Sequence, residues 1–265
     1  MDPNKFIAEV YRRMDAGDPR YIDSIDPDIF VNNEATKLAI KQYENVLPKN
    51  KDIKILDVGF GAGQFTSACI HLGYQNIHCA DFGAVHKLLK VRKEFPQIKG
   101  SYDIESTVAD FLADSNEKFD FIHLAHVIEH IPKHSLLYLV DSIYKSMHRD
   151  GIFFVRTPNM LGPIPNYSLF ITLGHEYGFS ESNLRSLLEL CGFEDIELFH
   201  FPPDYQTLKQ KSGHILRKLF TFKDRLNYRL FNGVSPRELG VELVLSGTKK
   251  DKPELFDIKF KCLKG

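Results

Sequence analysis

Three stretches of this chain carry residue types that do chemistry at informative spacings. The first is Asp57-Val58-Gly59-Phe60-Gly61-Ala62-Gly63, which closes the apolar run Ile53–Val58. Glycine turns the backbone through conformations closed to other residues and lets a ligand come close where a side chain would collide. Between a strand and a helix, such a turn also aims the helix N-terminus at the ligand. The second stretch is His126-Val127-Ile128-Glu129-His130, an H-x-x-E-H pattern. On a helix its two imidazoles would lie one turn apart and could share a zinc ion, with Glu129 as a hydrolytic base. The third is Gly174-His175-Glu176-Tyr177, where a histidine next to a carboxylate is equipped to take a proton from an acceptor.

The glycine run narrows the choice of ligand. A dinucleotide fingerprint would place another glycine at position 64, but Gln64 stands there. Asp57 sits two residues before the first glycine. A carboxylate there repels a pyrophosphate and suits a ligand that carries positive charge, such as a sulfonium with a free α-amino group.

The elements that must hold these residues follow from periodicity and breakers. Short apolar runs predict strands at Ile53–Val58, Asn76–Ala80, Ser106–Ala109, Phe119–Leu124, Gly151–Arg156, Ile196–Phe201 and Val241–Thr248. Helical spacing predicts helices near Phe6–Met14, Asn33–Leu47, Phe65–Leu72 (capped by Gly73), Ala84–Glu94, Val127–Ile131, Ser135–Met147 and Glu181–Cys191, the last with Ser180 as N-cap. Strands alternating with helices in this way predict an α/β fold, a doubly wound, mostly parallel sheet covered on both faces.

In this order the motifs resemble those of the class I S-adenosylmethionine-dependent methyltransferases, whose first motif is an acid followed by alternating glycines. The resemblance runs from about Ile53 to Thr248 and includes Phe119–Ile131, which is similar to the fourth motif of ubiquinone-biosynthesis-like and other small-molecule branches. It implies a Rossmann-like sheet whose last strand is antiparallel. It also implies S-adenosylmethionine as cofactor, held by Asp57, Gly59, Gly61, Gly63, Gln64, Asp81, Phe82, Asp110, Phe111 and Ala125. Asp81 would accept the ribose hydroxyls, and Asp110 with Phe111 would take the adenine. In such relatives the Glu and second His of H-x-x-E-H are structural. The turn Thr157-Pro158-Asn159 followed by His175 resembles methyltransferases of bacterial glycan assembly, which makes a sugar or glycan precursor the favoured acceptor. His175 is then the first candidate base, oriented by Glu176; His126 and His130 are further catalytic candidates, and Asn159 and Tyr177 could touch the acceptor. No metal is assigned. A zinc hydrolase through positions 126–130 and a non-catalytic binder of the cofactor are the alternatives.

Bulk properties bound the rest. The chain has 265 residues, enough for one large domain, and a formal net charge of -1. A nucleic-acid partner is not expected from that balance. Cys69, Cys79, Cys191 and Cys262 are scattered without a C-x-x-C pair, as expected of reduced cysteines in a cytoplasmic protein. No apolar run reaches the ~20 residues that span a bilayer. Residues 1–50 read as a helical lid and 51–265 as the methyltransferase domain, interrupted at about 207–238 by a basic insertion. There Lys209, Lys211, Arg217, Lys218, Lys223, Arg225, Arg229 and Arg237 alternate with large apolar residues. Such a segment could lie on an anionic membrane or grip a phosphate-bearing acceptor, for example a nucleotide sugar or lipid-linked glycan.

Overall fold

The computed structural model describes residues 25–82, 84–201, 208–233 and 235–250. The helix expected at 6–14 and Cys262 fall outside these residues. The described chain forms one seven-stranded sheet. Its strands are β1 (Lys54–Val58), β2 (Asn76–Asp81), β3 (Ile98–Asp103), β4 (Phe119–Ala125), β5 (Met147–Pro158), β6 (Phe193–Phe199) and β7 (Glu242–Lys249), in the order β3-β2-β1-β4-β5-β7-β6. Strands β3, β2, β1, β4 and β5 pair in parallel, whereas β7 is antiparallel to both β5 and β6. The expected Rossmann-like sheet with an antiparallel last strand is therefore the fold observed.

The described helices are α1 (Pro27–Val31), α2 (Glu34–Tyr43), α3 (Gln64–His71), α4 (Ala84–Lys87), α5 (Val91–Glu94), α6 (Val108–Asp114), α7 (Leu136–Lys145), α8 (Pro165–Phe170), α9 (Glu181–Leu190) and α10 (Leu208–Asn232). Ser180 caps α9 through a reciprocal pair with Asn183. No described helix is long and apolar enough to cross a membrane.

Alternation along the central strands builds two cores. Leu56, Val58, Ile122 and Leu124 face the layer of α6, α7 and α9, while Ile55, Ile77, Cys79 and Phe121 face the layer of α1, α2 and α3. Both faces are buried, so these strands read in sequence as continuous apolar runs. The same alternation sends Asp57 and His123 into the α2–α3 side, and the β1–β4 register sets them opposite each other.

Three expectations are corrected. The third strand is Ile98–Asp103, not Ser106–Ala109, which instead opens α6 with Thr107 as its N-cap. β3 is an edge strand with half-exposed residues and a glycine, so it lacks an apolar run; Thr107-Val108-Ala109 mimics one. The segment Val127–Ile131 is not an α-helix but a 3₁₀ turn over Ile128–His130. The helix expected at 84–94 is broken into α4 and α5.

Candidate active site

The sheet order reverses between β1 and β4, and the crevice outside the carboxyl ends of strands at such a point is where ligands bind. A cavity of about 720 Å³ opens there, within the range that takes a drug-sized ligand. One wall comes from α2 (Ala35, Leu38, Gln42), another from the glycine turn and the ends of β1, β2 and β4, and a third from His126, His130, Ile171 and His175.

At the glycine turn, Gly59, Gly61 and Gly63 all have positive φ, at 68°, 54° and 80°. A Cβ on Gly59 would sit 2.3 Å from Val127 Cγ2, so this glycine is demanded by the fold. A Cβ on Gly61 would meet nothing within 4 Å. Its bare backbone faces the cavity, which fits a ligand that must approach the chain closely. Gly63 caps α3 and packs against Phe30 of α1, outside the cavity wall.

Asp57 is 1% exposed. Its Oδ1 accepts from His123 Nδ1 at 2.8 Å and its Oδ2 from the Thr66 hydroxyl at 2.6 Å. With Nδ1 donating, His123 Nε2 accepts from the Tyr43 hydroxyl at 2.8 Å. A polar chain thus runs from α2 through β4 to the head of the turn. Both Asp57 oxygens are engaged within the protein, so Asp57 sets the local field and shape instead of offering an open carboxylate. Asp81, ending β2, lies at the cavity wall: Oδ2 accepts from Gly61 N at 3.1 Å and Oδ1 from Phe82 N at 2.7 Å. Burial raises its carboxyl above the ordinary aspartate range, against the pull of Lys87 and these two N–H groups.

Gln64, Phe82 and Ala125 line the same cavity. Asp110 and Phe111 do not. Asp110 lies in the first turn of α6, where it accepts from the hydroxyls of Thr107 and Tyr138, and Phe111 packs against the core. Ile104, Ser106, Thr107 and Val108 form that part of the wall instead. The misplacement follows from taking α6 for the strand end.

The other end of the cavity holds the histidines. His126 adopts a left-handed φ of 55° and is flanked by two carboxylates: Nδ1 lies 3.3 Å from Glu129 Oε1 and Nε2 3.1 Å from Glu242 Oε1. Burial pulls its pKa down, but the bonds to Glu129 and Glu242 outweigh that and raise it to about 9. Paired with two carboxylates, His126 is poorly placed to take a proton from an acceptor. Arg156, on β5, bonds the second oxygen of Glu242 at 2.5 Å and Gln42 of α2 at 3.3 Å.

His130 and His175 stand with ring centroids 4.7 Å apart. The main-chain oxygen of Glu129 accepts from the N–H groups of Glu176 and Tyr177 at 2.8 and 3.1 Å, strapping the 174–177 loop to the 3₁₀ turn. His130 Nδ1 donates to Gly174 O at 2.8 Å and His175 Nδ1 to Ser168 O at 2.6 Å. The orienting acceptor of His175 is thus a carbonyl and not the Glu176 carboxylate. Burial lowers the His130 pKa, which keeps that ring neutral. The H-x-x-E-H pair expected to share a zinc ion does not converge, because His126 turns toward Glu242. The ligand atoms that do converge belong to Glu129, His130 and His175, all within 4.8 Å of one another.

Asn159 and Tyr177 are absent from the cavity lining. Asn159 is 2% exposed and its amide donates to the carbonyls of Glu238 and Gly240. Sequence reasoning missed Tyr43, His123, Arg156 and Glu242. Only the polar identity of His123 and Arg156 within apolar strands could have marked them.

A family model described as a methyltransferase domain matches residues 32–198. The chain is 28% identical over 149 residues to a ribosomal protein L11 methyltransferase of Staphylococcus saprophyticus, covering 55% of this chain and 44% of that one. It is 32% identical over 134 residues to a ubiquinone biosynthesis O-methyltransferase of Bartonella quintana, covering 47% of this chain and 52% of that one. The chain spans about half the length of these curated relatives. Its fold matches that of a SAM-dependent methyltransferase from Archaeoglobus fulgidus at a TM-score of 0.55 and 17% identity, covering 84% of this chain and 97% of that one. The glycine turn, the reversal of the sheet beside it and the matched segment agree, and the chain belongs to the class I S-adenosylmethionine-dependent methyltransferase family.

Proposed function

We propose that the protein moves a methyl group from S-adenosylmethionine to a hydroxyl of a small molecule, with a sugar or glycan precursor as the favoured acceptor. One observation carries this reading: a single cavity runs from the glycine turn and Asp81 to the His130–His175 pair. S-adenosylmethionine supplies an electrophilic methyl on a sulfonium. Gly61 lets it approach, Asp81 takes its ribose hydroxyls, and the field of Asp57 favours its positive charge. The acceptor oxygen sits against His130 and His175. A sugar hydroxyl needs help to lose its proton at neutral pH, and His175 is the first candidate to receive it. Methyl transfer is displacement in line, so the remaining task is positioning. Ala35, Leu38 and Gln42 of α2 close the donor side as a lid.

The helix α10 supports a phosphate-bearing or lipid-linked acceptor. Its side facing the body carries Thr221, Asp224, Arg225 and Tyr228, whereas Leu219, Phe222, Leu226 and Leu230 point outward, each at least 48% exposed, flanked by Lys223 and Arg229. An apolar stripe bordered by cations suits an anionic lipid surface. The test follows labelled methyl from S-adenosylmethionine into an extract of the source cell, then partitions the product. Label in the water-soluble sugar-nucleotide fraction supports an early glycan precursor. Label in the organic phase supports a lipid-linked acceptor and a membrane role for α10. Donor binding without label in either would overturn the catalytic reading.

A further inference from the structure

We propose that Glu129, His130 and His175 form a binding site for one divalent transition-metal ion at the acceptor end of the cavity; this rests on the reading of that end as the acceptor pocket. Four observations carry it. The three ligand atoms lie within 4.8 Å of one another, although His175 is 45 residues from His130 in sequence. Glu129 is 2% exposed, and among the described residues its buried Oε1 meets only the His126 imidazole, with Nδ1 at 3.3 Å. The other oxygen accepts from the buried Thr157 hydroxyl at 3.1 Å, which fixes the plane of the carboxylate. Both imidazoles donate through Nδ1 to a main-chain carbonyl, the outer-shell bond that sets the tautomer and aim of a metal-bound histidine.

The donor set decides the class of ion. Two imidazoles and one carboxylate suit zinc and its neighbours such as cobalt, manganese or iron, more than magnesium or calcium. Bonds of about 2.0–2.2 Å in a tetrahedral site would draw the ligand atoms to roughly 3.3–3.5 Å apart. The site closes by a shift of about 1 Å, spread over three side chains, two of them only half-buried. Three protein ligands leave a coordination position, and His130 and His175 both line the cavity, so that position belongs to the acceptor.

An ion there would do work that an imidazole alone does poorly. A hydroxyl bound to a divalent cation loses its proton near neutral pH. The proton leaves to solvent, the oxygen attacks the sulfonium methyl, the new C–O bond forms as the C–S bond breaks, and the sulfur keeps the electron pair as a neutral thioether. The ion is neither oxidised nor reduced. His175 then acts on the acceptor through the ion.

The experiment needs neither donor nor acceptor. The full chain is stripped with a chelator and titrated with Co2+, read by visible absorption and by calorimetry. We expect one equivalent per chain with the absorption of a low-coordinate nitrogen–oxygen site. Glu129→Gln and His175→Ala each weaken that binding tenfold or more, while S-adenosylmethionine affinity and melting temperature stay near wild type. His148→Gln keeps Co2+ affinity within a few-fold, since His148 sits near the start of β5, paired with Asp120 and outside the set. No saturable Co2+ binding by wild type, or undiminished binding by Glu129→Gln and His175→Ala, would overturn the site. So would a tenfold loss in His148→Gln. Failure to find a sugar acceptor would leave these readings unchanged, so the two proposals fail separately.

Discussion

Replacing Asp81 by alanine tests the donor half of the site most directly. In the proposed complex its carboxylate accepts both ribose hydroxyls of S-adenosylmethionine. A hydrogen bond to an ionised acceptor contributes about 1.5–3 kcal/mol. Here the carboxylate already accepts from Gly61 N and Phe82 N at 3.1 and 2.7 Å, so the hydroxyls share its lone pairs with the main chain. For the two together we expect a loss of about 2–3 kcal/mol, or roughly 30–150-fold in Kd. Asp81→Asn keeps one carbonyl oxygen for a main-chain donor and should lose about half as much free energy, roughly 1–1.5 kcal/mol. Calorimetric titration with S-adenosylmethionine and S-adenosylhomocysteine at pH 8 measures both variants. Melting curves confirm that each is folded. A folded Asp81→Ala protein that binds the donor within twofold of wild type would refute the assignment of Asp81 to the ribose.

Three further outcomes follow from the same geometry. Gly59→Ala forces a Cβ to 2.3 Å from Val127 Cγ2 at a φ of 68°; the left-handed backbone costs about 1–2 kcal/mol and the overpacking about 1–3. Its melting temperature should fall, and adding Val127→Ala should recover part of the loss; no recovery would mean that the clash is not the cause. Tyr43→Phe leaves a buried imidazole nitrogen of His123 without its 2.8 Å partner and should cost about 1–3 kcal/mol in urea unfolding, so an unchanged midpoint would count against the polar chain. Burial holds the Asp81 carboxyl above its ordinary 3.8, and the donor favours the carboxylate form. Donor affinity should therefore fall as pH drops through that raised value, with protons released on binding below it and none above it, and Asp81→Asn should flatten the profile. The sign for the donor-free fold is opposite, because a raised carboxyl pKa makes protonation favour the folded state.

What the sequence revealed and what it hid divide along a physical line. The glycine turn, Asp81 and the strands β1, β2 and β4 are local patterns, set by backbone sterics and two-sided burial, and they could be read directly. β3 was hidden because an edge strand with Gly100 and half-exposed neighbours carries no apolar run. Asp110 was then carried to the wrong wall by that single misplaced strand. The pairing of His130 with His175 depends on two main-chain bonds from the 174–177 loop to Glu129, and no spacing rule encodes a bond of that kind. The chain Tyr43–His123–Asp57 depends on strand register and on how α2 lies across it. Its residues looked like core or like donor ligands until the two strands were placed side by side.

The reversal of strand order at β1 and β4 also has meaning for protein engineering. Asp57, the glycine turn and Asp81 come from the first two strands, whereas His130, the cavity residues Ile171 and Thr172, and His175 come from segments after β4 and β5. Apart from the bonds that tie the 174–177 loop to Glu129 and His130, the acceptor wall hangs on connections that leave the sheet after its donor half is complete. A graft of residues 160–179 from a relative, cut at the bridge between Asn159 and Phe179, exchanges the Ile171, Thr172 and His175 part of that wall and leaves His126, His130 and the donor half as they are. The architecture is thus a chassis on which acceptor preference can be traded by one contiguous cassette.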